Sequence, residues 1–455
     1  MTKKIKKVEI KKSDKSKEAK EKKSNDKSDK PNSANFANSA KSEEKIKINK
    51  KTILAGAIIA SVLAVFSVLA AIIFSGKKNT IAIWGLENPQ SLAVKSEIEK
   101  ISKEQNLALE VQILDGEKSL SSQLLLQPKI LAVITTKGYG TETAEHKASK
   151  KSALPADFTF EMTSSMRAAA KSTENARGEN EISVIPLLSD NLEIDISTQA
   201  FRTSGMKAIS TWSDIENFSR IQKRKIEFPL VFAGADGKFF LDLLGGLAEA
   251  FDGQDSYKKA REVLKNAAEK RFNAAKIADE LAENPDSPLI TSVRNLKNWQ
   301  KNGLLNPSTF ALSKKDVNAF VSNGLASGFF MSLSDHRNFG SKISNYSSIY
   351  LPSENNAAAR FFTSATVCAV PLKKSKSVEK LVKTLVSQEG QENLSRATGL
   401  APVLAHCRTP DKQADDVRYW IAATNTPNAG LGNEIFFTTA QYRQLAKELA
   451  AKVMY

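Results

Sequence analysis

One uncharged apolar run dominates the hydrophobic pattern of the chain. Residues 52–74 read TILAGAIIASVLAVFSVLAAIIF, 23 residues without Asp, Glu, Lys, Arg, Asn, Gln, His or Pro. A helix rises about 1.5 Å per residue, so this run is long enough to span the roughly 30 Å hydrocarbon core of a bilayer. The pattern therefore predicts one transmembrane helix.

The tail before this run, residues 1–51, is rich in lysine and low in complexity. It contains 18 lysines and no arginine against eight acidic residues, in a chain whose net charge is +16. Lysines concentrate on the cytoplasmic side of a span, which predicts a cytoplasmic tail and a periplasmic or extracytoplasmic location for the rest. The composition predicts a disordered tail attracted to anionic lipid. Nucleic acid is not an expected partner, because arginine is absent and Phe36 is the single aromatic residue.

Two other interpretations of the apolar run are open but less favoured. A cleaved signal peptide has an apolar core of about 7–15 residues, which is shorter than this run. A cleavage site could be read at Val68-Leu69-Ala70, but the apolar residues Ala71-Ile72-Ile73-Phe74 follow it. A lipoprotein needs a cysteine where Ile72 stands. We therefore expect a retained single-pass anchor in the cell (inner) membrane.

After the run, strand-like and helix-like segments alternate. Residues 80–84 and 107–113 are typical of strands flanking a helix from Pro89 to Ile101, and residues 130–135 are typical of a fully buried strand. Such alternation predicts a parallel sheet with helices on both faces. Residues 79–455 are too many for one ordinary hydrophobic core, which predicts two lobes.

The later patterns are less uniform. We predict a polar surface segment with one short helix, then two strands, a helix capped by Thr211 with Asp214 as reciprocal partner, a buried strand closed by a turn, and three helices. The polar segment is 141–181, with its short helix near 163–171, and the two strands are 182–186 and 192–196. The capped helix begins at 211, the buried strand is 228–232, and the three later helices are 257–281, 289–301 and 378–388.

The sequence offers no catalytic motif. Its three histidines, His146, His336 and His406, lie far apart, and HExxH, GxSxG and GxxxxGK[ST] do not occur. No ligand cluster has the spacing of a metal site. The sequence thus predicts a non-enzyme without catalytic residues, metal or cofactor. Cys368 and Cys407 leave two options equally open, one disulfide or two separate buried thiols.

Short segments spread over about 320 residues carry a family resemblance. They are Trp84-Gly85, Ile185-Pro186 with Asn191-Leu192-Glu193-Ile194-Asp195, Thr211-Trp212-Ser213-Asp214, Leu296…Trp299…Gly303…Pro307 with Gly324-Leu325-Ala326, and Val370-Pro371-Leu372…Glu389-Gly390-Gln391…Gly399-Leu400-Ala401-Pro402-Val403. In order and spacing they resemble the bacterial extracellular solute-binding proteins of ABC importers, specifically the sugar-binding branch. The last segment is the most specific match.

The resemblance implies an α/β fold of the periplasmic-binding-protein kind, a bilobal clamp that closes over a solute about a hinge. The predicted organisation places the transmembrane helix before the clamp. The divisions are 1–51 for the tail, 52–74 for the transmembrane helix, 79–187 with 362–408 for lobe 1, and 188–361 with 409–455 for lobe 2.

The resemblance also implies where a solute binds. The candidate ligand-binding residues are Trp84, Thr135, Thr136, Tyr139, Asp236, Asp335 and Arg337, and the hinge candidates are Pro186, Ser189 and Asp190. An aromatic face such as that of Trp84 stacks on a sugar ring, and Arg337 offers two parallel donors to a carboxylate or phosphate. Each candidate has a structural alternative: packing for the tryptophan, strand-end polarity for the threonines, and a turn or solvated loop for the charged residues.

These expectations combine into one predicted function. The chain is expected to be a membrane-anchored solute-binding protein that captures a sugar or oligosaccharide and presents it to ABC permease subunits. The alternative is an anchored sensor or scaffold with the same fold and no transport role.

Overall fold

The structure, a computed structural model, describes residues 79–174, 178–353, 362–425 and 427–454. The predicted tail, 1–51, and the predicted transmembrane helix, 52–74, lie outside the described residues. Within the described ranges, no helix is both long enough and apolar enough to cross a membrane.

Strands and helices alternate through the described residues. The strands are β1 Asn79–Trp84, β2 Leu109–Ile113, β3 Ile130–Thr136, β4 Leu154–Pro155, β5 Lys171–Glu174, β6 Asn180–Ser197, β7 Leu230–Val231, β8 Gly328–Ser332, β9 Tyr346–Tyr350, β10 Ser364–Pro371 and β11 Ala401–Pro402. The helices are α1 Asn88–Glu104, α2 Leu120–Leu126, α3 Tyr139–Lys147, α4 Ser164–Ala169, α5 Thr198–Ser204, α6 Trp212–Gln222, α7 Gly237–Asp252, α8 Gln254–Ala268, α9 Ala274–Ala282, α10 Ile290–Lys301, α11 Lys314–Ser322, α12 Lys376–Leu385, α13 Gln388–Thr398, α14 Lys412–Ala422 and α15 Thr439–Met454. Four 3-10 segments are Ala156–Thr159, Pro307–Ala311, Leu333–Asn345 and Leu431–Asn433.

The first strands form the predicted parallel sheet. β1 lies between β2 and β3 and is parallel to both. Ile81, Ala82 and Ile83 of β1 are fully buried because apolar side chains cover both faces of the sheet. On one face, α1 contributes Val94 and Ile98, one helical turn apart. The predictions for these strands and this helix are confirmed.

β6 is one strand where the sequence predicted two. Its 18 residues pair antiparallel with β10 through residues 185–191 and with β8 and β9 through residues 192–197. The polar residues between the two apolar runs do not break the strand because they have partners. The backbone N–H of Ser334 donates to Asp190 Oδ1 at 2.9 Å, and Ser189 is hydrogen-bonded to Ser364.

Two large hydrophobic clusters lie on either side of this change of partners. One, the N-terminal cluster, is drawn from residues 81–188 and 367–421 together with Leu333. The other, the central cluster, is drawn from residues 192–351 and 431–453. Helix α14 contributes Val417 and Ile421 to the N-terminal cluster, although the sequence places this helix in lobe 2. The lobe limits themselves stay a prediction.

Helix α7 in the central cluster was missed by the sequence pattern. Its N-cap is Asp236, whose Oδ1 accepts from the N–H of Phe239 at 3.1 Å, so the predicted turn is the start of a helix. The helix is apolar around most of its circumference and buried, and such a segment lacks the amphipathic period that marks a surface helix. Trp212 and Trp299, which belong to the family-like segments, are buried with ring centroids 5.4 Å apart.

Two further patterns needed correction. The polar segment 141–181 contains the predicted short helix as α4, but it also includes most of α3 and the short strands β4 and β5 on the edge of β6. The pattern 257–281 is interrupted between α8 and α9, where Asn273 caps α9 by accepting from the N–H of Lys276. An Asn side chain at such a position favours a new helix start over continuation.

Both cysteines are free and buried. Burial raises the pKa of the Cys368 thiol to about 12 and that of Cys407 to about 11. Of the two options that the sequence left open, the structure therefore has two separate thiols.

The capping box at α6 gives a direct test of the fold. Thr211 Oγ1 accepts from the N–H of Asp214 at 3.1 Å, and Asp214 Oδ2 accepts from the N–H of Thr211 at 3.0 Å. We expect Thr211→Ala to lower the free energy of unfolding by about 1 kcal/mol in urea titrations, since a helix donor loses its acceptor. Thr211→Ser keeps the hydroxyl and should change it little; equal losses in both variants would contradict the assigned cap.

Candidate functional site

A cavity of about 840 Å³ lies between residues of the N-terminal and central clusters. This volume is within the usual range of small-molecule sites. Carboxyl ends of β1 and β3 form one wall, which contains Trp84 and Thr136, and the starts of α7 and α11 face it with Asp236 and Lys314. The segment before and within α15 completes the lining with Asn433, Phe436, Tyr442 and Arg443.

Lys314 is the centre of an ion-pair network at this cavity. Its Nζ lies 3.0 Å from Asp335 Oδ1 and 3.7 Å from Asp236 Oδ2, and it also pairs with Glu87. Burial alone would lower the pKa of Lys314, but the three carboxylates outweigh it and hold this pKa above the ordinary lysine value. The lysine is therefore a permanent cation.

Two partly buried aspartates give the cavity titratable hydrogen-bonding groups. Burial raises the pKa of Asp190 to about 6, against the opposing effect of the N–H of Ser334. Burial raises the pKa of Asp242 to about 7, although Lys238 and the N–H of Gly432, which donates to Oδ1 at 2.7 Å, act the other way. A carboxyl accepts hydrogen bonds when ionised and can also donate one when protonated, so both groups suit the hydroxyls of a solute.

Side chains also bridge the two walls of the cavity directly. Glu87, which precedes α1, reaches Lys314 at the start of α11. Thr136 Oγ1 donates to Asn433 Oδ1 at 3.1 Å, and the N–H of Thr439 donates to Glu117 Oε2 at 3.1 Å. These contacts hold the walls together across the cavity.

An aromatic cluster forms one end of the cavity. The Trp84 ring centroid lies 5.5 Å from that of Tyr139 and 6.0 Å from that of Phe436. The indole N–H of Trp84 donates to the carbonyl of Lys118 at 3.1 Å, which fixes the ring. With 7% of its surface exposed, Trp84 offers a limited apolar patch to the cavity.

Some of the site residues predicted from the sequence line the cavity and others do not. Trp84, Thr136, Asp236 and the hinge candidate Asp190 line the cavity. Thr135 is fully buried and Tyr139 packs behind Trp84; neither contributes to the lining. Whether any of these residues contacts a solute stays a prediction.

Asp335 and Arg337 lie outside the lining, and each has a structural partner. Asp335 is paired with Lys314. The guanidinium of Arg337 donates to the carbonyls of Arg396 and Ala397 at the end of α13, where a cation is favoured by the unpaired carbonyls. The other hinge candidates, Pro186 and Ser189, lie inside β6, opposite Cys368 and Thr366 of β10.

The fold assembles one buried group that sequence reasoning missed. Glu193 and Asp195 of β6 and His336 of the segment Leu333–Asn345 come together although the histidine is distant in sequence. The available signal was two acids at alternate positions of an otherwise apolar strand, which places both on one face. Nothing in the sequence near His336 indicates this contact.

Comparison with known proteins gives matches in structure but not in sequence. No protein-family model matches the chain, and no curated protein matches it. The solute receptor AcbH, described as having an exclusive preference for β-D-galactopyranose, superposes with a TM-score of 0.58 at 12% identity, covering 83% of this chain and 99% of that one.

Two other solved structures give similar values. A putative binding protein MsmE from Bacillus subtilis, in an open conformation, has a TM-score of 0.60 at 14% identity and covers 83% of this chain and 93% of its own. RafE in complex with raffinose has a TM-score of 0.55 at 14% identity, with coverages of 82% and 98%. At these identities the matches establish the fold, and the predicted resemblance to bilobal sugar-binding solute receptors is confirmed at that level.

The raised pKa of Asp242 predicts a pH dependence of stability. The value of about 7 in the folded chain exceeds the ordinary 3.8, so folding favours the protonated form and this stabilisation is lost as pH rises through 7. The shift corresponds to a fall of about 4 kcal/mol in the free energy of unfolding between pH 4 and pH 8. When the free energy of unfolding is measured in urea from pH 4 to pH 8, Asp242→Asn should remove the fall that this carboxyl causes.

Asp252 at the exposed end of the same helix provides the control. Asp252→Asn should leave the pH profile of the free energy of unfolding unchanged. A wild-type slope that survives in Asp242→Asn would show that this carboxyl is not the responsible group.

Hydrogen exchange can test whether the ion pair of Glu87 with Lys314 holds the cavity walls together. Glu87→Gln removes the negative charge from the residue before α1, so backbone amides at 85–91 and 313–317 should exchange hydrogen several-fold faster. Glu110→Gln changes an exposed glutamate on the neighbouring strand β2 and should leave these rates unchanged. Equal exchange in both variants would mean that the ion pair does not hold the walls.

Proposed function

Because the described residues share the fold of sugar-binding solute receptors, we propose that this chain captures a small solute, a sugar or oligosaccharide, for an ABC importer. The supporting observation is the cavity between the two hydrophobic clusters, lined by aromatic rings and hydrogen-bonding side chains. The proposal includes an anchor at residues 52–74, a cytoplasmic tail, an extracytoplasmic clamp and ABC permease subunits as partners. Anchor and orientation rest on the apolar run and the lysine distribution.

The charge of the cavity favours a neutral solute. Five carboxylates and four cationic side chains line it: Glu87, Glu117, Asp190, Asp236 and Asp242 against Lys238, Lys314, Lys315 and Arg443. One of the cations, Lys314, is already paired with carboxylates on several sides. An anionic solute would meet at least as much negative as positive charge, so a polyhydroxyl compound fits the lining better than an organic acid.

The lining also contains both kinds of group that a sugar ring requires. Aromatic faces at Trp84 and Phe436 suit the apolar C–H faces of a sugar ring. Carboxyl, hydroxyl and amide groups at Asp190, Thr136 and Asn433 suit its hydroxyls, which donate and accept hydrogen bonds.

Solute entry in this proposal requires the walls to separate. The MsmE structure, which has the same fold, is of an open conformation. In this chain the bond from Thr136 to Asn433 and the pair of Glu87 with Lys314 would break on opening and reform over the solute. The proposed hinge is the stretch of β6 that contains Pro186, Ser189 and Asp190, which pairs with β10 and precedes the change of partners at Leu192.

The alternative function is an anchored sensor or scaffold without a transport role. The observation that favours it is the extent to which the chain's own side chains bridge the cavity. A scaffold of this fold would keep those bridges and bind no sugar, so ligand binding separates the two functions.

A thermal-shift screen of the full-length chain in detergent tests solute capture. Sugars, oligosaccharides, amino acids and organic anions are the four ligand classes. A bound sugar at 100 times its Kd stabilises the folded chain by about 2.7 kcal/mol, which raises the Tm. No shift with any sugar would refute the proposed substrate class, and no shift with any compound would favour the scaffold.

Trp84 provides the matched test of the site. Loss of an aromatic stacking partner costs about 0.5–1.5 kcal/mol, so Trp84→Ala should weaken the Kd of a sugar found in the screen by up to about tenfold in titration calorimetry. Trp420→Ala truncates a half-buried tryptophan on α14 outside the lining and should leave the Kd unchanged. An unchanged Kd in Trp84→Ala would remove this residue from the site.

A further inference from the structure

The buried group of Glu193, Asp195 and His336 is separate from the cavity lining. Both acids are 0% exposed and the histidine is 2% exposed. His336 Nε2 lies 2.6 Å from Glu193 Oε1 and 3.4 Å from Asp195 Oδ2. One possible ligand atom from each residue lies within 4.8 Å of the other two.

Regular strand geometry creates this convergence. Glu193 and Asp195 are two positions apart in β6, so their side chains leave the same face of the strand. The alternate residues Leu192, Ile194 and Ile196 belong to the central hydrophobic cluster. The acids meet His336, which the segment Leu333–Asn345 brings over that face of β6.

Hydrogen bonding does not satisfy the group. Among the described residues, both oxygens of Glu193, Oδ2 of Asp195 and both ring nitrogens of His336 lack a hydrogen bond of acceptable geometry. The remaining oxygen, Asp195 Oδ1, accepts from Ser348 Oγ at 2.7 Å. That hydroxyl can orient the carboxylate, as the outer partners of metal ligands commonly do.

Any negative charge on this buried group must be compensated, either by protons or by a cation. Two ionised carboxylates beside a neutral imidazole amount to two negative charges with no access to water, an arrangement that costs several kcal/mol per ion. A proton on the imidazole compensates one of them, and a proton on one carboxyl removes the other. A divalent cation compensates both and uses the lone pair of the neutral imidazole.

We propose that Glu193, Asp195 and His336 bind one divalent transition-metal ion of the zinc class. Imidazole nitrogen together with carboxylate oxygen suits Zn²⁺, whereas Mg²⁺ and Ca²⁺ prefer oxygen ligands alone. The burial of all three ligands assigns the ion a structural role. This proposal does not depend on the identity of the solute.

The ion would fasten a connecting segment to β6. Around His336, the N–H of Ser334 donates to Asp190, Asp335 pairs with Lys314, and Arg337 donates to carbonyls at the end of α13. Residues 334–337 therefore contact β6, the ion-pair network of Lys314 and a helix of the N-terminal cluster. A metal at His336 would fix all of these contacts relative to β6.

Metal content of the full-length chain tests the proposal. After production in zinc-supplemented medium and dialysis against metal-free buffer, elemental analysis should find one zinc ion per chain. His336→Asn should lose it, and a wild-type chain without zinc would overturn the proposal in favour of a protonated histidine held between two carboxylates. Added Mg²⁺ and Ca²⁺ should not displace the ion; displacement would overturn the assignment to the zinc class.

A second variant keeps the test decisive if His336→Asn fails to fold. The chain contains three histidines, and the other two, His146 and His406, are exposed. The double variant His146→Asn/His406→Asn therefore leaves His336 as the single imidazole. We expect it to retain the zinc ion and to show scattering from one imidazole in X-ray absorption at the zinc edge. Loss of the ion, or a spectrum without imidazole, would refute the assignment.

Discussion

The continuity of β6 is the constraint on which the rest of this structure depends. The strand runs from Asn180 to Ser197 and changes partners along its length, from β10 to β8 and β9. Buried backbone N–H and C=O groups must be paired, so the strand persists because each half finds neighbours in a different hydrophobic cluster. The two clusters are therefore joined by a hydrogen-bonded ladder as well as by side-chain contacts.

The middle of β6 contains polar residues among others that are apolar and buried. Ser189 and Asp190 lie at the change of partners, and Glu193 and Asp195 follow within the central part. Each of these polar side chains points to a group on another segment, so the strand collects contacts from β10, β9 and the 333–345 segment. A buried polar group without a partner destabilises the fold, whereas a paired one fixes the relative position of the two segments that it joins. These contacts fix the middle of β6 relative to three other segments.

How much the sequence could reveal depended on the kind of pattern. Strands β1 and β3 are short, apolar and bounded by turn residues, and the Thr211 cap has a fixed spacing, so all were predictable. Helix α7 was not, because a helix buried around most of its circumference lacks the wide polar face that marks a surface helix. Trp84 and Thr136 were predictable cavity residues, since the ends of parallel strands meet at one edge of a sheet. Asn433, Phe436 and Tyr442 come from a distant part of the chain and reach the same cavity only through tertiary folding.

The two free cysteines have a consequence for where such a chain can fold. Thiol–disulfide exchange requires a thiolate with access to its partner, and burial suppresses the ionisation of both Cys368 and Cys407. The two thiols of the folded chain are therefore protected from an oxidising environment, and the fold needs no disulfide to form. Export would change the redox poise around the molecule without changing its covalent structure.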